Sequence, residues 1–152
     1  METSPAGIEF IKRFEGFRAD AYPDPGTGGE PWTVGYGSTL TAAGEPVRKG
    51  LHVTEEEATA LLAATLGRYE RGVLSAITQP LLQHQFDAMV SLCYNIGAGN
   101  FSHSSVAKLF NKGLVTESAN AFTLWNKAAG HEMPGLTRRR YAERAMFLGH
   151  HI

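Results

Sequence analysis

The chain has 152 residues, 43% apolar and 19% charged, which fits one folded domain with a core of its own. Its formal net charge of −1 excludes a global positive field, so no nucleic-acid partner is expected and any attraction to an acidic polymer must be local. A single cysteine, Cys93, excludes an internal disulfide, and the absence of a long apolar run argues against stable membrane insertion or a secretory signal.

In chain order, Ser4 and Pro5 predict the start of a helix, the serine as N-cap and the proline in the first turn. Ile8, Ile11 and Phe14 recur at helical spacing as its buried stripe. Gly16 can take the left-handed conformation that ends a helix, which leaves Glu15 in the last turn. Between Tyr22 and Thr39 the pattern changes to glycines, prolines and alternation. Trp32, Val34 and Tyr36 share one strand face, and Thr33, Gly35 and Gly37 the other. A small antiparallel hairpin is expected here, as the only sheet.

From Thr54 onward the expectation is helical. Thr54 and Glu57 form a capping box, and Ala58, Leu61, Leu62, Thr65, Leu66 and Tyr69 line a long helix after it. Beyond Pro80 a second helix carries Phe86, Met89, Val90 and Cys93, with Gly97 and Gly99 ending it. Shorter helices are expected over 104–111 and 116–127, and a last one over 137–148. The fold class is therefore α+β: one domain over residues 1–152, with a β-hairpin lobe at about 20–52, a larger helical lobe, and a ligand cleft between them.

Two carboxylates in different surroundings stand out. Glu15, at the negative end of a helix dipole and near Phe14 and Phe17, is expected to hold its proton, as a general acid must. Asp24, between Pro23 and Pro25, sits in a stiff polar loop that keeps it ionised; Asp20 and Glu30 compete for that part. Thr33 lies on a glycine-lined strand face where a sugar ring could approach and a hydroxyl could hold a water. Such a pair of carboxylates suits glycosidic bond cleavage. Each residue alone reads equally well as surface chemistry: a helix-end Glu, a turn Asp, a hairpin Thr.

The segment from Glu15 to Gly37 resembles the phage-type (T4-like) lysozyme and endolysin family, glycoside hydrolase family 24. In that family a Glu, eight residues, an Asp, five residues and a Thr follow one another. Here eight residues separate Glu15 from Asp24, but after five further residues comes Glu30, and eight residues separate Asp24 from Thr33. Gly26 to Pro31 therefore reads as a loop enlarged by three residues, with Thr33 keeping the family's role. Asn95-Ile96-Gly97-Ala98-Gly99-Asn100-Phe101, Phe122 with Trp125, and Arg138-Arg139-Arg140 with Glu143 resemble later blocks of the same family.

The resemblance implies a lysozyme-like fold and a muramidase acting on bacterial peptidoglycan, with Glu15, Asp24 and Thr33 catalytic. It also implies Tyr36, Asn95 and Arg138 as substrate-binding residues, although a capping Asn and a solvated, ion-paired helix face explain the last two equally well. Implied too are no cofactor or metal, a monomer, a location in the host bacterial cytoplasm, and release across the inner membrane that depends on a holin.

Other chemistries are less well supported. The six histidines form no HExxH or Cys-His ligand pattern for a zinc amidase, and His150-His151 reads as a tail. Cys93 lies on an apolar stripe rather than in an activating environment for a cysteine peptidase. Neither glycine cluster opens a phosphate-binding helix, so nucleotide binding is not supported. A lytic transglycosylase, which needs no water-activating Asp, and a non-catalytic glycan-binding protein remain as alternatives.

Overall fold

The structure, a computed structural model, describes residues 1–150. In chain order it comprises α1 (Pro5–Glu15), β1 (Arg18–Tyr22), β2 (Thr33–Gly35), α2 (Glu55–Ala76), α3 (Gln83–Ile96), α4 (Ala98–Ser102), α5 (Ser105–Asn111), α6 (Val115–Ala121), a 3-10 turn (Phe122–Leu124), β3 (Lys127–Ala128), β4 (His131–Glu132) and α7 (Pro134–Phe147). Contacts divide the chain into two units, residues 8–67 and residues 1–7 with the chain from 68 onward.

The first unit is built around β1. One edge of β1 pairs antiparallel with β2, in a register that matches Arg18 with Gly35 and Tyr22 with Thr33. Its other edge takes the segment 51–53, through Ala21 N–H to the Leu51 carbonyl and Val53 N–H to the Ala19 carbonyl, both 2.9 Å. The strand thus has two partners, which holds an otherwise polar and exposed sequence extended. Phe10, Ile11, Val34, Tyr36, Val47, Val53, Ala58, Leu61, Leu62 and Leu66 are the buried apolar residues of this unit. The buried face of α1 is centred on Phe10 and Ile11, with Ile8 and Phe14 only half-buried, so the expected stripe is rotated by part of a turn.

The alternation expected through 32–37 fails at Gly35. Val34, Gly35 and Tyr36 are buried in succession, and Gly35 has φ +69°. A Cβ placed on Gly35 would lie 2.9 Å from Ala58 Cβ. Its missing side chain makes room for α2, not for a sugar. The capping box that starts α2 is present: Thr54 N–H donates to Glu57 Oε1 at 2.9 Å and Glu57 N–H to Thr54 Oγ1 at 3.1 Å.

In the second unit α3 is buried on every side from Gln85 to Cys93, a central helix wrapped by neighbours rather than an amphipathic one. It packs on α7, while Phe147 of α7 meets the rings of Phe110 and Phe122 at 5.9 and 5.2 Å. The N-terminal residues belong here too. Thr3 donates its N–H and hydroxyl to Glu70 Oε2 at 2.7 and 2.6 Å, and Ser4 donates both of its own to Asp87. Ser4 Oγ also accepts from Gly7 N–H at 3.1 Å, the expected N-cap.

Three expectations for this unit are corrected. Gly97, with φ +94°, does end α3, but Gly99 lies inside α4, which starts at once. The helix expected over 116–127 stops at Ala121, and Lys127 belongs to a second hairpin, β3–β4, turned by Ala129 and Gly130 at positive φ. The first hairpin is therefore not the only sheet. The last helix begins at Pro134, three residues before the expected start, because proline is accepted at a first helical position.

Candidate active site

Glu15 is the last residue of α1 and is half-buried. Gly16, at φ +72°, ends the helix with its N–H on the Lys12 carbonyl at 3.0 Å. Phe17 then turns the chain into β1, its ring 5.6 Å from that of Tyr36, while Phe14 stacks on Phe10 at 5.0 Å. The carboxyl group of Glu15 thus leaves from a fixed helix end directly ahead of the strand.

Asp24 follows β1 by two residues and is braced by its own backbone as well as by the prolines. Its N–H donates to the Gly29 carbonyl at 2.9 Å, and its carbonyl accepts from Gly28 at 2.8 Å and Thr27 at 3.2 Å. Its Oδ1 accepts from Gly26 N–H at 3.3 Å, an Asx turn. Thr27 closes the loop, its hydroxyl donating to the Glu30 carbonyl at 2.6 Å and accepting from Gly29 N–H at 3.1 Å.

Thr33 opens β2 opposite Tyr22, so Asp24 and Thr33 leave the same end of the two-stranded ribbon. Glu15 approaches from the other end. Four residue steps of extended chain from Arg18 to Tyr22 cover about 13 Å, so the backbone positions that carry Glu15 and Asp24 lie at opposite ends of the strand.

The competing carboxylates are placed differently. Asp20 is 82% exposed and its Oδ1 lies 2.8 Å from His52 Nδ1, a pairing that the sequence reading missed because only the β1 edge contact brings the two together. Glu30 sits exposed on the enlarged loop. Tyr36 is 4% exposed, with the Lys12 ammonium 5.3 Å from its ring centroid. Burial raises its phenol pKa, and the Lys12 charge opposes that. Lys12 in turn lies 3.1 Å from Glu9 and 3.8 Å from Glu55, and the hydrogen bond to Glu9 is the chief cause that raises its own pKa.

Asn95 is exposed near the end of α3, and Arg138 is exposed on α7. Arg139 and Arg140 are not a solvated face: they are 5% and 0% exposed. Glu143, fully buried, is the reason. Its Oε2 accepts from Ser91 Oγ (2.6 Å), Arg139 Nε (3.2 Å) and an Arg140 terminal nitrogen (3.1 Å), and its Oε1 lies 2.7 Å from Arg140 Nε. Burial pushes the Glu143 pKa up, opposed by Arg140 and then Arg139. The spacing of the arginines three and four residues before Glu143 was the available sequence signal.

Cys93 is buried, which drives its thiol pKa up to about 12. Among the described residues no cluster of His, Cys, Asp and Glu could hold a metal ion, and no helix is long and apolar enough to cross a membrane. His151 lies outside the described residues, while His150 N–H donates to the Ala145 carbonyl at 2.9 Å.

The model of the family described as Phage lysozyme matches residues 12–143, a span that includes Glu15, Asp24 and Thr33. The chain belongs to the phage lysozyme family. It is similar to the endolysin of Salmonella phage P22, 40% identical over 97% of this chain and 99% of that protein. A crystal structure of a P22 lysozyme point mutant superimposes with a TM-score of 0.87 at 39% identity, covering 97% of this chain and 99% of that one. The endolysin of Bacillus phage B103 is 38% identical over 97% of this chain but 54% of its own length. This member of the family thus spans about half the length of the Bacillus phage endolysins it matches, and nearly the whole of the P22 protein. The α+β fold is that of a phage lysozyme, mainly helical with small antiparallel hairpins.

Proposed function

We propose that this chain is a muramidase that hydrolyses the β-1,4 bond between N-acetylmuramic acid and N-acetylglucosamine in bacterial peptidoglycan, as a phage endolysin. What carries the reading is the order along one short stretch: a helix-end Glu, a braced-loop Asp and a strand Thr at the two ends of β1, within the span matched by the phage lysozyme family. In this reading Glu15 gives its proton to the glycosidic oxygen as that bond breaks. Asp24 takes a proton from a water, and the resulting hydroxide adds to the anomeric carbon on the opposite face of the ring. The Thr33 hydroxyl holds that water against Asp24.

The separation of Glu15 and Asp24 by β1 favours a gap wide enough for a water. Glu30 is a weaker claimant to the third role, since it is exposed on the loop tip while Thr33 begins the paired strand. Asn95 and Arg138, both exposed, are proposed to contact the glycan, and the buried Tyr36 to hold the strand rather than touch sugar. The protein is proposed to act as a monomer that accumulates in the host cytoplasm and reaches the wall across the inner membrane with the help of a holin.

Mass analysis of the product ends tests this. Reducing N-acetylmuramic acid ends are expected. A 1,6-anhydro end would make the protein a lytic transglycosylase, and intact strands a binding protein.

A further inference from the structure

The loop enlarged between Asp24 and Thr33 does more than connect two strands. Its last residues, Glu30 and Pro31, join Trp32, Thr39, Pro46 and Val47 around a hollow of about 320 Å³. Both walls are fixed in advance. Thr27 ties the loop to the Glu30 carbonyl at 2.6 Å, and the opposite wall is held by the Leu40–Pro46 bridge and by Val47 N–H on the Thr39 carbonyl at 2.9 Å. The two prolines, the half-buried Trp32 and the buried Val47 make an apolar floor. Glu30 supplies the one ionisable group in the lining, and its carboxylate has no hydrogen bond or ion pair among the described residues.

We propose that this hollow is a recognition subsite for an amine-bearing side chain of the peptide stems attached to the glycan, a proposal that rests on the muramidase reading above. A side chain with methylene groups and a terminal ammonium has the matching profile: its apolar stem covers proline and indole surface while its charged head stays at the wet rim. Glu30 answers that charge, and the Trp32 ring offers a second site of attraction for a cation. A neutral N-acetylated sugar would leave the carboxylate unanswered. The volume lies at the low end of small-ligand sites, room for one side chain rather than a disaccharide. Trp32 directly precedes Thr33 in the chain, so the hollow is carried by the same short segment as the proposed catalytic threonine.

The test uses intact walls, the same walls with their amines acetylated, and peptide-free glycan strands. With wild-type protein, acetylation is expected to raise KM about threefold, the size of a partly exposed ion pair, with kcat unchanged. Glu30→Gln should show that raised KM on intact walls and no further rise on acetylated ones, while matching wild type on peptide-free strands. Trp32→Ala should lose more on intact walls than on peptide-free strands. Equal losses for either variant on all three substrates, or no response of wild type to acetylation, would overturn the proposal. A large fall in kcat for Glu30→Gln would also overturn it, by making that residue catalytic. Failure of wild type to cleave any of the three would instead remove the muramidase reading.

Discussion

Asp24 and Glu143 are the same functional group placed under opposite rules. Asp24 is half-buried in a turn, and its carboxylate accepts one 3.3 Å hydrogen bond from the adjacent loop backbone. Glu143 is fully buried, and both of its oxygens are engaged by Arg139, Arg140 and Ser91. A charge kept for chemistry must leave room for substrate and water. A charge kept in a core must be saturated, because an unpaired one there costs several kcal/mol. The hairpin region is accordingly rigid through its backbone, while the α3–α7 region is rigid through its side chains.

The difference predicts opposite readouts for mutations in the two regions. Glu15→Gln should lower turnover of peptidoglycan by ~10²–10⁴-fold while leaving the thermal midpoint within error, because the proposed proton donation is all that the amide removes. Glu143→Gln should do the reverse. Breaking the buried cluster should cost about 3–5 kcal/mol in denaturant unfolding, with the residual folded enzyme still catalytic. A stable Glu143 variant, or a Glu15 variant that unfolds, would erase the contrast.

Smaller effects sharpen it. Asp24→Asn should be severely impaired in kcat and Thr33→Ala less so, since the role proposed for the hydroxyl is only to position water, whereas Asp20→Asn should be mild because Asp20 is exposed and paired with His52. The smallest effect concerns the α2 cap. The backbone and side chain of Thr54 lower the Glu57 pKa, so the stability this carboxylate gives is present above its ordinary range and lost as pH falls through the lowered value. Thr54→Ala should cost about 1 kcal/mol at neutral pH. That difference should shrink in urea unfolding under strongly acidic conditions.

What the sequence made legible was local. The caps at Ser4 and Thr54 and the stop at Gly16 depend on residues within one turn, and each is where it was expected. The strand at Arg18–Tyr22 was not foreseen, because its polar sequence becomes extended only through Thr33, Gly35 and the 51–53 segment. A run of three arginines reads as solvated until α3 supplies Ser91 beside Glu143. The break at Ala121 was hidden because Phe122 and Trp125 keep helical spacing through the 3-10 turn. For the candidate site, residue types and order were readable, but the brace of Asp24 by Gly26, Thr27, Gly28 and Gly29, and the filling of the Gly35 face by Ala58, were matters of tertiary contact.

The most direct measurement is the anomeric configuration of the first product, read by NMR on freshly cleaved glycan strands before mutarotation. If Glu15 and Asp24 stand far enough apart to admit a water held by Thr33, the product appears first as the inverted α-anomer, the outcome of a pair wider than the ~5–5.5 Å of retaining enzymes. A β-anomer appearing first would contradict that arrangement and make Asp24 a nucleophile or an ion stabiliser.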